Sequence, residues 1–255
     1  MLRDFTKEAF DILIQAGQSN AEGSGLGPVD QPYQVNDQVF YLNSDLTITQ
    51  ACERVLGNHI QSNFSLSFAR QYLQNGRLEE GRKLLILRCA VGGTGFLDNR
   101  WGMTDDLYLQ MMEMIRTALQ LNPENRLVAF LWHQGETDAI FQAGHDLHYK
   151  NLSTLLNSVR DTFGVTTLPF IAGDFVQHWK NDNIVICTPV IAAIRDVCAD
   201  LPCCSFVETD GLLSNSQEPY WKPEEIDDSI HFSRQALYTL GQRYYHCFEK
   251  IAASV

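Results

Sequence analysis

The sequence predicts an α/β fold, a three-layer α/β/α sandwich in which helices cover both faces of a mostly parallel sheet. Short apolar runs recur along the chain and are nearly continuous, which is typical of strands buried on both faces. Segments with helical periodicity separate these runs, and such alternation indicates a parallel sheet. No linker rich in proline, glycine or serine divides the chain, so we expect one domain over residues 1–255.

Six apolar runs are the candidate strands of this sheet. They are too uniformly apolar to alternate between a buried and a solvated side, so both faces of each strand are expected to be covered. In chain order they are DILIQA (11–16), QVFYLN (38–43), KLLILRCAV (83–91), LVAFLWHQG (127–135), LPFIAGDF (168–175) and CCSFVET (203–209).

Helical patterns fill the intervals between the runs. Leu66, Ala69 and Leu73 share one helix face, and this helix is expected to end at Gly76. A longer pattern begins with Thr104 as the expected N-cap and stops before the next proline. Two more patterns cover residues 148–164 and 233–252.

Composition and charge exclude several classes of function. The formal net charge of −12 and the lack of a run of Lys and Arg argue against nucleic acid as a partner. No segment approaches the roughly 20 apolar residues of a membrane helix, and the N-terminus lacks the apolar core of an export signal. The seven cysteines have no C-x-x-C spacing and fit reduced thiols. We therefore expect a cytoplasmic protein without a membrane partner, whose oligomeric state the sequence leaves open.

Four polar clusters are the candidate site. The first three follow directly after strands, and ligands of parallel sheets bind at the carboxyl ends of the strands. The fourth lies just before the last helical pattern and can fold over the same edge. In chain order the clusters are GQSN (17–20), GGTG (92–95), HQGETD (133–138) and DDSIHFS (227–233).

These clusters contain the parts of a serine hydrolase. Ser19 follows a tight turn and is the candidate nucleophile, with His231 as the base that takes its proton. Asp228 lies three residues before His231, where it can orient the imidazole and stabilise its charged form. The oxyanion formed by attack needs preorganised N–H donors. The candidates are the backbone amides of Ser19 and of Gly93 or its neighbour Gly92, and the side-chain amide of Gln134.

Each of these residues also has a simpler interpretation. Ser19 could cap a helix, and Gln134 and Glu136 could satisfy backbone groups at a strand end. His145 and His148 have a spacing that could hold a metal, although zinc sites need three or more convergent ligands. All of these simple interpretations would have to hold at once, at four positions where this fold binds ligands. Together they are therefore a weaker hypothesis than a shared active site.

The clusters also resemble a known family. GQSNAEG, AVGGTGF, WHQGETD and DSIHFS, in this order over nearly the whole chain, are similar to the sialate O-acetylesterase-like branch of the SGNH hydrolases. Carbohydrate esterase family six, which includes acetylxylan esterases, is similar too. The resemblance implies a flavodoxin-like sheet, a triad of Ser19, His231 and Asp228, and an oxyanion hole from Ser19, Gly93 and Gln134. The broader SGNH pattern has Asn where this sequence has Gln134.

The function implied by this resemblance is a serine esterase that removes O-acetyl groups from a carbohydrate without a metal or cofactor. The sugar stays open, with sialate- and xylan-type substrates both compatible. Two alternatives remain at this point, a metal-dependent hydrolase and a non-catalytic carbohydrate-binding protein on the same fold.

Residues around the clusters are expected to bind substrate or to support the catalytic groups. Trp101 is a candidate to stack on a sugar ring or, equally, a core or surface aromatic, and His133 is a candidate to line the pocket. By resemblance, Glu136 and Asp138 support the turn of the third cluster. Residues 216–227 are expected to form a loop along one wall of the site. The full set of these expected residues is Gln18, Asn20, Gly92, Trp101, His133, Glu136 and Asp138.

Overall fold

The computed structural model describes residues 4–57, 59–219 and 227–254. In this part of the chain a seven-stranded sheet lies between helices, and a separate two-stranded hairpin is present. The strands are β1 (Ala9–Gly17), β2 (Val39–Leu42), β3 (Ile48–Gln50), β4 (Arg54–Leu56), β5 (His59–Gln61), β6 (Arg82–Arg88), β7 (Arg126–His133), β8 (Phe170–Gly173) and β9 (Cys204–Val207). The helices are α1 (Ser19–Glu22), α2 (Phe64–Gln74), α3 (Asp106–Leu121), α4 (Glu136–Ile140), α5 (His145–Phe163), α6 (Gln177–Asp182), α7 (Ile184–Asp200) and α8 (Arg234–Ala252).

The order of the strands brings the predicted clusters together. The sheet runs β3-β2-β6-β1-β7-β8-β9, with β3 antiparallel to β2 and every other neighbouring pair parallel. β1 is central, so Gln15 lies opposite Arg88 of β6 and Gly17 lies opposite His133 of β7. The carboxyl ends of these three strands therefore meet at one edge of the sheet.

Helices cover both faces of this sheet, as predicted. α2 packs on α8 and α5 packs on α7, while α7 and α8 both contact β8 and β9. Eight of the nine residues of β1 are buried, so the central strand is covered on both sides. The nearly continuous apolar runs follow from this burial, and each of the six contains a strand. The predicted three-layer fold class is confirmed.

The structure corrects the predicted start of α3. Asp105, not Thr104, occupies the N-cap position, because a turn precedes the helix. In this turn the Gly102 N–H donates to the Asp105 carboxylate at 2.7 Å, and the Asp105 N–H donates to the Gly102 carbonyl at 2.8 Å. The expected end of α2 near Gly76 agrees with the structure. α8 is capped by Ser233, whose hydroxyl accepts from the Ala236 N–H.

The helix α7 had no counterpart among the predicted helices. Its sequence contains Pro189, which ordinarily argues against a helix interior because it removes an N–H donor. The carbonyl that loses its partner is that of Val185, an exposed residue, so water can satisfy it.

No helix in the described ranges combines the length and the apolar character that crossing a bilayer requires.

Candidate active site

The turn after β1 presents Ser19 at the edge of the sheet. Gly17 has φ +131°, and a Cβ atom there would lie 2.1 Å from the His133 carbonyl oxygen, so only glycine fits. The Gln18 N–H donates to that same carbonyl at 2.9 Å and fixes the turn against β7. Ser19 is then the first residue of α1, while Gln18 occupies the N-cap position. The interpretation of Ser19 as a helix cap is therefore wrong.

Ser19, His231 and Asp228 form a continuous chain of hydrogen-bonding groups. Ser19 Oγ lies 2.9 Å from His231 Nε2, and His231 Nδ1 lies 2.6 Å from Asp228 Oδ1. The other Asp228 oxygen accepts from Asn215 Nδ2 at 2.7 Å. Burial raises the pKa of Asp228, but the His231 ring and the Asn215 amide outweigh this effect and bring the pKa below its usual value. Asp228 is thus ionised at neutral pH and faces an imidazole that contacts Ser19 Oγ.

Asn20 fastens the His231 segment to α1. Its side-chain NH2 donates to Glu136 Oε1 at 2.9 Å and to the Ile230 carbonyl at 3.0 Å, and its oxygen accepts from the Phe232 N–H at 3.0 Å. The bonded residues at positions 230 and 232 flank His231 on both sides. Asn20 is fully buried, so it supports the segment that carries His231 from the interior.

The backbone amides of Gly92 and Gly93 in the glycine loop, residues 91–97, differ in their contacts. The Gly92 N–H donates to Glu22 Oε2 at 2.8 Å and is therefore already used. Gly93 has φ +69°, and within the described chain its N–H and that of Ser19 meet no acceptor. A Cβ atom at Gly92 would lie 3.5 Å from Ser19 Cβ, so the loop runs directly beside the nucleophile. This arrangement favours Gly93 over Gly92 as a donor to an oxyanion.

Gln134 is placed differently from the expectation. Its side chain is fully buried, and its NH2 group donates to Asp138 Oδ2 at 2.8 Å and to the Thr94 carbonyl at 3.3 Å. Both amide hydrogens are thereby committed, because a carboxylate and a carbonyl only accept. In this arrangement Gln134 braces the glycine loop and offers no free donor to an oxyanion.

Asp138 anchors the far end of the same loop. Its carboxylate accepts from the Phe96 N–H at 3.0 and 3.1 Å and from the Leu97 N–H at 2.8 Å, in addition to Gln134. Burial raises the pKa of Asp138, but the combined effect of His148, the Leu97 N–H and the Gln134 amide is larger and opposite. The pKa of Asp138 is therefore below the ordinary value. Asp138 therefore supports the glycine loop as well as its own turn.

Glu136 and Gln18 are buried supports of the same turn. Gln18 Oε1 accepts from the Thr137 N–H at 3.1 Å and lies 3.4 Å from the Gly135 nitrogen. Glu136 Oε1 accepts from Asn20, and burial raises the pKa of its carboxyl group above the usual value. In the described ranges Glu136 Oε2 has no partner.

Two expected substrate contacts are wrong. Trp101 is fully buried, donates from Nε1 to Thr94 Oγ1 at 3.0 Å and packs edge-on against Trp132, so it cannot stack on a sugar. His133 is also fully buried, with Nδ1 2.9 Å from the Tyr244 hydroxyl, and burial lowers its pKa to about 3. His133 is therefore a neutral residue of the core beneath the site.

The histidines of the alternative metal site contact different partners. His145 is near the surface and pairs with Asp146 at 2.9 Å and Asp196 at 2.8 Å. His148 is buried, with Nδ1 3.5 Å from Asp138 Oδ2. Across the described ranges, no three His, Cys, Asp or Glu side chains come together in a way that could hold a metal ion. Most of the loop expected over residues 216–227 lies outside the described residues.

Two supporting residues were missed by the sequence analysis. Glu22 lies three residues after Ser19, and this spacing within a short helix was an available signal for a contact near the nucleophile. Asn215 lies 13 residues before Asp228 and outside all four clusters, so its contact gave no sequence signal.

Comparisons with known proteins identify the family of this chain. The model of a family described as carbohydrate esterase, sialic acid-specific acetylesterase, matches residues 9–250, and the chain belongs to this family. A probable 9-O-acetyl-N-acetylneuraminic acid deacetylase of Escherichia coli K12 is 23% identical over 225 residues, covering 67% of this chain and 68% of the relative.

Solved structures support the fold. A crystal structure of NanS matches with a TM-score of 0.82 at 20% identity, covering 98% of this chain and 99% of the other. A carbohydrate acetylesterase from Xanthomonas citri matches with a TM-score of 0.61 at 14% identity, covering 96% of this chain and 57% of the other. The chain is accordingly a carbohydrate acetylesterase by family and has the α/β architecture of these enzymes.

Proposed function

We propose that this carbohydrate esterase removes acetyl groups through a Ser19–His231–Asp228 mechanism with an acetyl-enzyme intermediate. The observation that carries the proposal is the unbroken chain from Ser19 Oγ through both ring nitrogens of His231 to the Asp228 carboxylate. An ionised carboxylate only accepts, so Nδ1 of the neutral imidazole carries the hydrogen and Nε2 is free to accept from the Ser19 hydroxyl.

The first half of the reaction follows from this tautomer. His231 Nε2 takes the proton as Ser19 Oγ attacks the acetyl carbonyl, and Asp228 stabilises the resulting imidazolium. The carbonyl oxygen becomes an oxyanion, and we assign its stabilisation to the Ser19 and Gly93 N–H groups. Collapse of this intermediate expels the sugar oxygen, which takes the proton from His231, and leaves Ser19 acetylated.

The second half repeats the sequence with water. His231 removes a proton from water, which attacks the acetyl-enzyme, and the serine oxygen leaves with that proton. Acetate and the free enzyme result, and no cofactor or metal enters any step.

The proposed substrate is an O-acetylated carbohydrate. The family description and the name of the bacterial relative both favour an acetylated sialic acid as the first compound to test. Acetate release from a panel of acetylated sialic acids, xylo-oligosaccharides and hexosamines would rank these sugars directly.

Replacement of the nucleophile tests the mechanism. Ser19→Ala is expected to lower kcat for p-nitrophenyl acetate by on the order of 10⁴–10⁶, because no other group can form the acetyl-enzyme. Ser153→Ala on α5 removes a hydroxyl that donates to the Lys150 carbonyl within its own helix and is the matched control. Retained turnover in Ser19→Ala would overturn the mechanism, and loss of wild-type turnover on chelation would favour a metal-dependent hydrolase.

A further inference from the structure

A cleft beside the nucleophile contains two arginines. A cavity of about 400 Å³ is lined by Glu22, Arg54 and Arg88 together with neutral residues that include Asn43 and Gln110. A second cavity of about 150 Å³ shares Glu22, Arg54 and Arg88, so the two are parts of one cleft, here named the arginine cleft. The larger part falls within the ~300–1,000 Å³ of small-molecule pockets.

The arginine cleft adjoins the catalytic serine. Glu22 is the last residue of α1, the helix that begins with Ser19, and its Oε2 accepts from the Gly92 N–H at 2.8 Å. Val91, which also lines the cleft, directly precedes Gly92, whose Cβ position is 3.5 Å from Ser19 Cβ. The wall of this cleft is thus formed in part by the helix that begins with Ser19 and by the first residue of the glycine loop.

Among the residues that the structure describes, Arg88 has no acidic partner and is held in place by an aromatic ring. It is the last residue of β6, opposite Gln15 of the central strand, and its guanidinium lies 5.0 Å from the ring centroid of the buried Tyr41. This contact with an aromatic face restrains the side chain and leaves its N–H donors free.

The charges of the cleft favour an anion. Within the described residues, neither Arg54 nor Arg88 has a carboxylate within 4 Å, although acidic residues outnumber basic ones in this chain by 31 to 19. Glu22 is the acidic residue that lines the larger cavity, and Glu53 of the smaller one is already paired with Arg234 at 2.7 Å. By contrast, ion pairs engage Arg82, Arg100, Arg126, Arg195 and Arg234.

We propose that Arg54 and Arg88 bind the carboxylate of an acidic sugar while its acetyl ester lies at Ser19. This inference rests on the proposed function and adds the charge of the substrate to it. A guanidinium presents parallel N–H donors that match the two oxygens of a carboxylate, and Asn43 and Gln110 supply neutral polar groups for sugar hydroxyls. Arg54 and Arg88 thus select the substrate, whereas Ser19 carries out the reaction.

Turnover of matched substrates tests the arginine cleft. Arg88→Gln and Arg54→Gln are each expected to lower kcat/KM for an O-acetylated sialic acid about 10–100-fold, mainly through KM, because charge-assisted bonds are lost. Their kcat/KM should fall far less for p-nitrophenyl acetate, and for the same sugar with its carboxylate converted to a carboxamide, because neither compound offers the arginines a carboxylate. Arg116→Gln on the outer face of α3 is the matched control and should behave as wild type on all three substrates.

The outcomes separate this inference from the proposed function. Equal wild-type turnover of the acid and the carboxamide, or loss of p-nitrophenyl acetate turnover in Arg88→Gln, would overturn the carboxylate assignment while the esterase stands. Faster turnover of an acetylated sugar bearing phosphate or sulfate would overturn the choice of anion. Binding of deacetylated sialic acid to Ser19→Ala, measured by calorimetry, needs no turnover. It should weaken about 10–100-fold when Arg88→Gln is added, and an unchanged Kd would overturn the assignment.

Discussion

At the scale of single residues, the effects of replacing Gln134 distinguish a side chain that donates to the oxyanion from one that supports the glycine loop. Because its amide bonds Asp138 and the Thr94 carbonyl, Gln134→Ala is expected to lower the free energy of unfolding by about 1–3 kcal/mol. The fall in kcat should stay below the ~10²–10³ typical of a lost oxyanion donor. Denaturant unfolding and p-nitrophenyl acetate turnover measure the two effects, with the exposed Gln120→Ala as control.

The opposite result would support the sequence-based expectation that Gln134 donates to the oxyanion. A loss of ~10²–10³ in kcat with unchanged stability would mean that the Gln134 amide turns toward the oxyanion during the reaction.

The proposed catalytic residues could be picked out from the sequence because the chemistry assigned to them restricts them to few residue types. Ser19, Asp228 and His231 were found from residue type and spacing alone, and the structure places them in contact. Trp101 and His133 were expected at the site, yet both are fully buried. Side chains that are adjacent in sequence can enter different layers, and only packing against residues such as Tyr244 decides which layer that is.

At the scale of elements, α4 and the glycine loop work as one unit through Asp138. Asp138→Asn replaces an acceptor with a donor that meets the amides of Phe96, Leu97 or Gln134. We expect a loss of about 2–3 kcal/mol in the free energy of unfolding and a lower kcat with little change in KM, since the Gly93 amide loses its support. Thermal unfolding and steady-state kinetics check both quantities.

The exposed Asp161→Asn on α5 is the matched control for this change of charge. Destabilisation of Asp138→Asn with an unaltered kcat would limit Asp138 to a role in folding.

The same scale shows why some elements were predicted and others were not. Strands buried on both faces must be apolar throughout, so the six runs stand out in the sequence. The strands β4 and β5 have three residues each and exposed side chains such as Val55 and Ile60, so they leave no such pattern. α7 was missed because Pro189 contradicts the ordinary helix rule while tertiary packing overrides it.

At the scale of the whole molecule, two buried groups beneath the site make stability depend on pH in opposite directions. His133 Nε2 lies 3.9 Å from Glu136 Oε1, and both side chains are fully buried. The native pKa of His133 is lowered to about 3, so below about pH 6.5 the unfolded chain binds a proton that the native state does not. Its contribution to stability is therefore complete above pH 6.5 and is lost progressively as the pH falls toward 3.

Burial raises the pKa of Glu136, so the sign is reversed for this residue. Above the unfolded pKa near 4.5 the native state keeps a proton that the unfolded chain releases, and stability decreases as the pH rises through this window. The two groups thus oppose each other above about pH 4.5 wherever both titrate, and a flat stability profile of the wild type there would conceal both contributions.

Single replacements expose each contribution. When the pH is lowered from 6.5 to 5, the free energy of unfolding of His133→Gln is expected to fall by about 2 kcal/mol less than that of the wild type. The reason is that one pKa unit corresponds to about 1.4 kcal/mol. Glu136→Gln should show the opposite pattern: its free energy of unfolding relative to the wild type should increase with pH and be largest at the highest pH. Denaturant unfolding at several pH values measures the slopes, with the exposed His246→Gln as control. Slopes of both variants parallel to that of the wild type would show that water reaches this layer and that the two side chains titrate as they do in the unfolded chain.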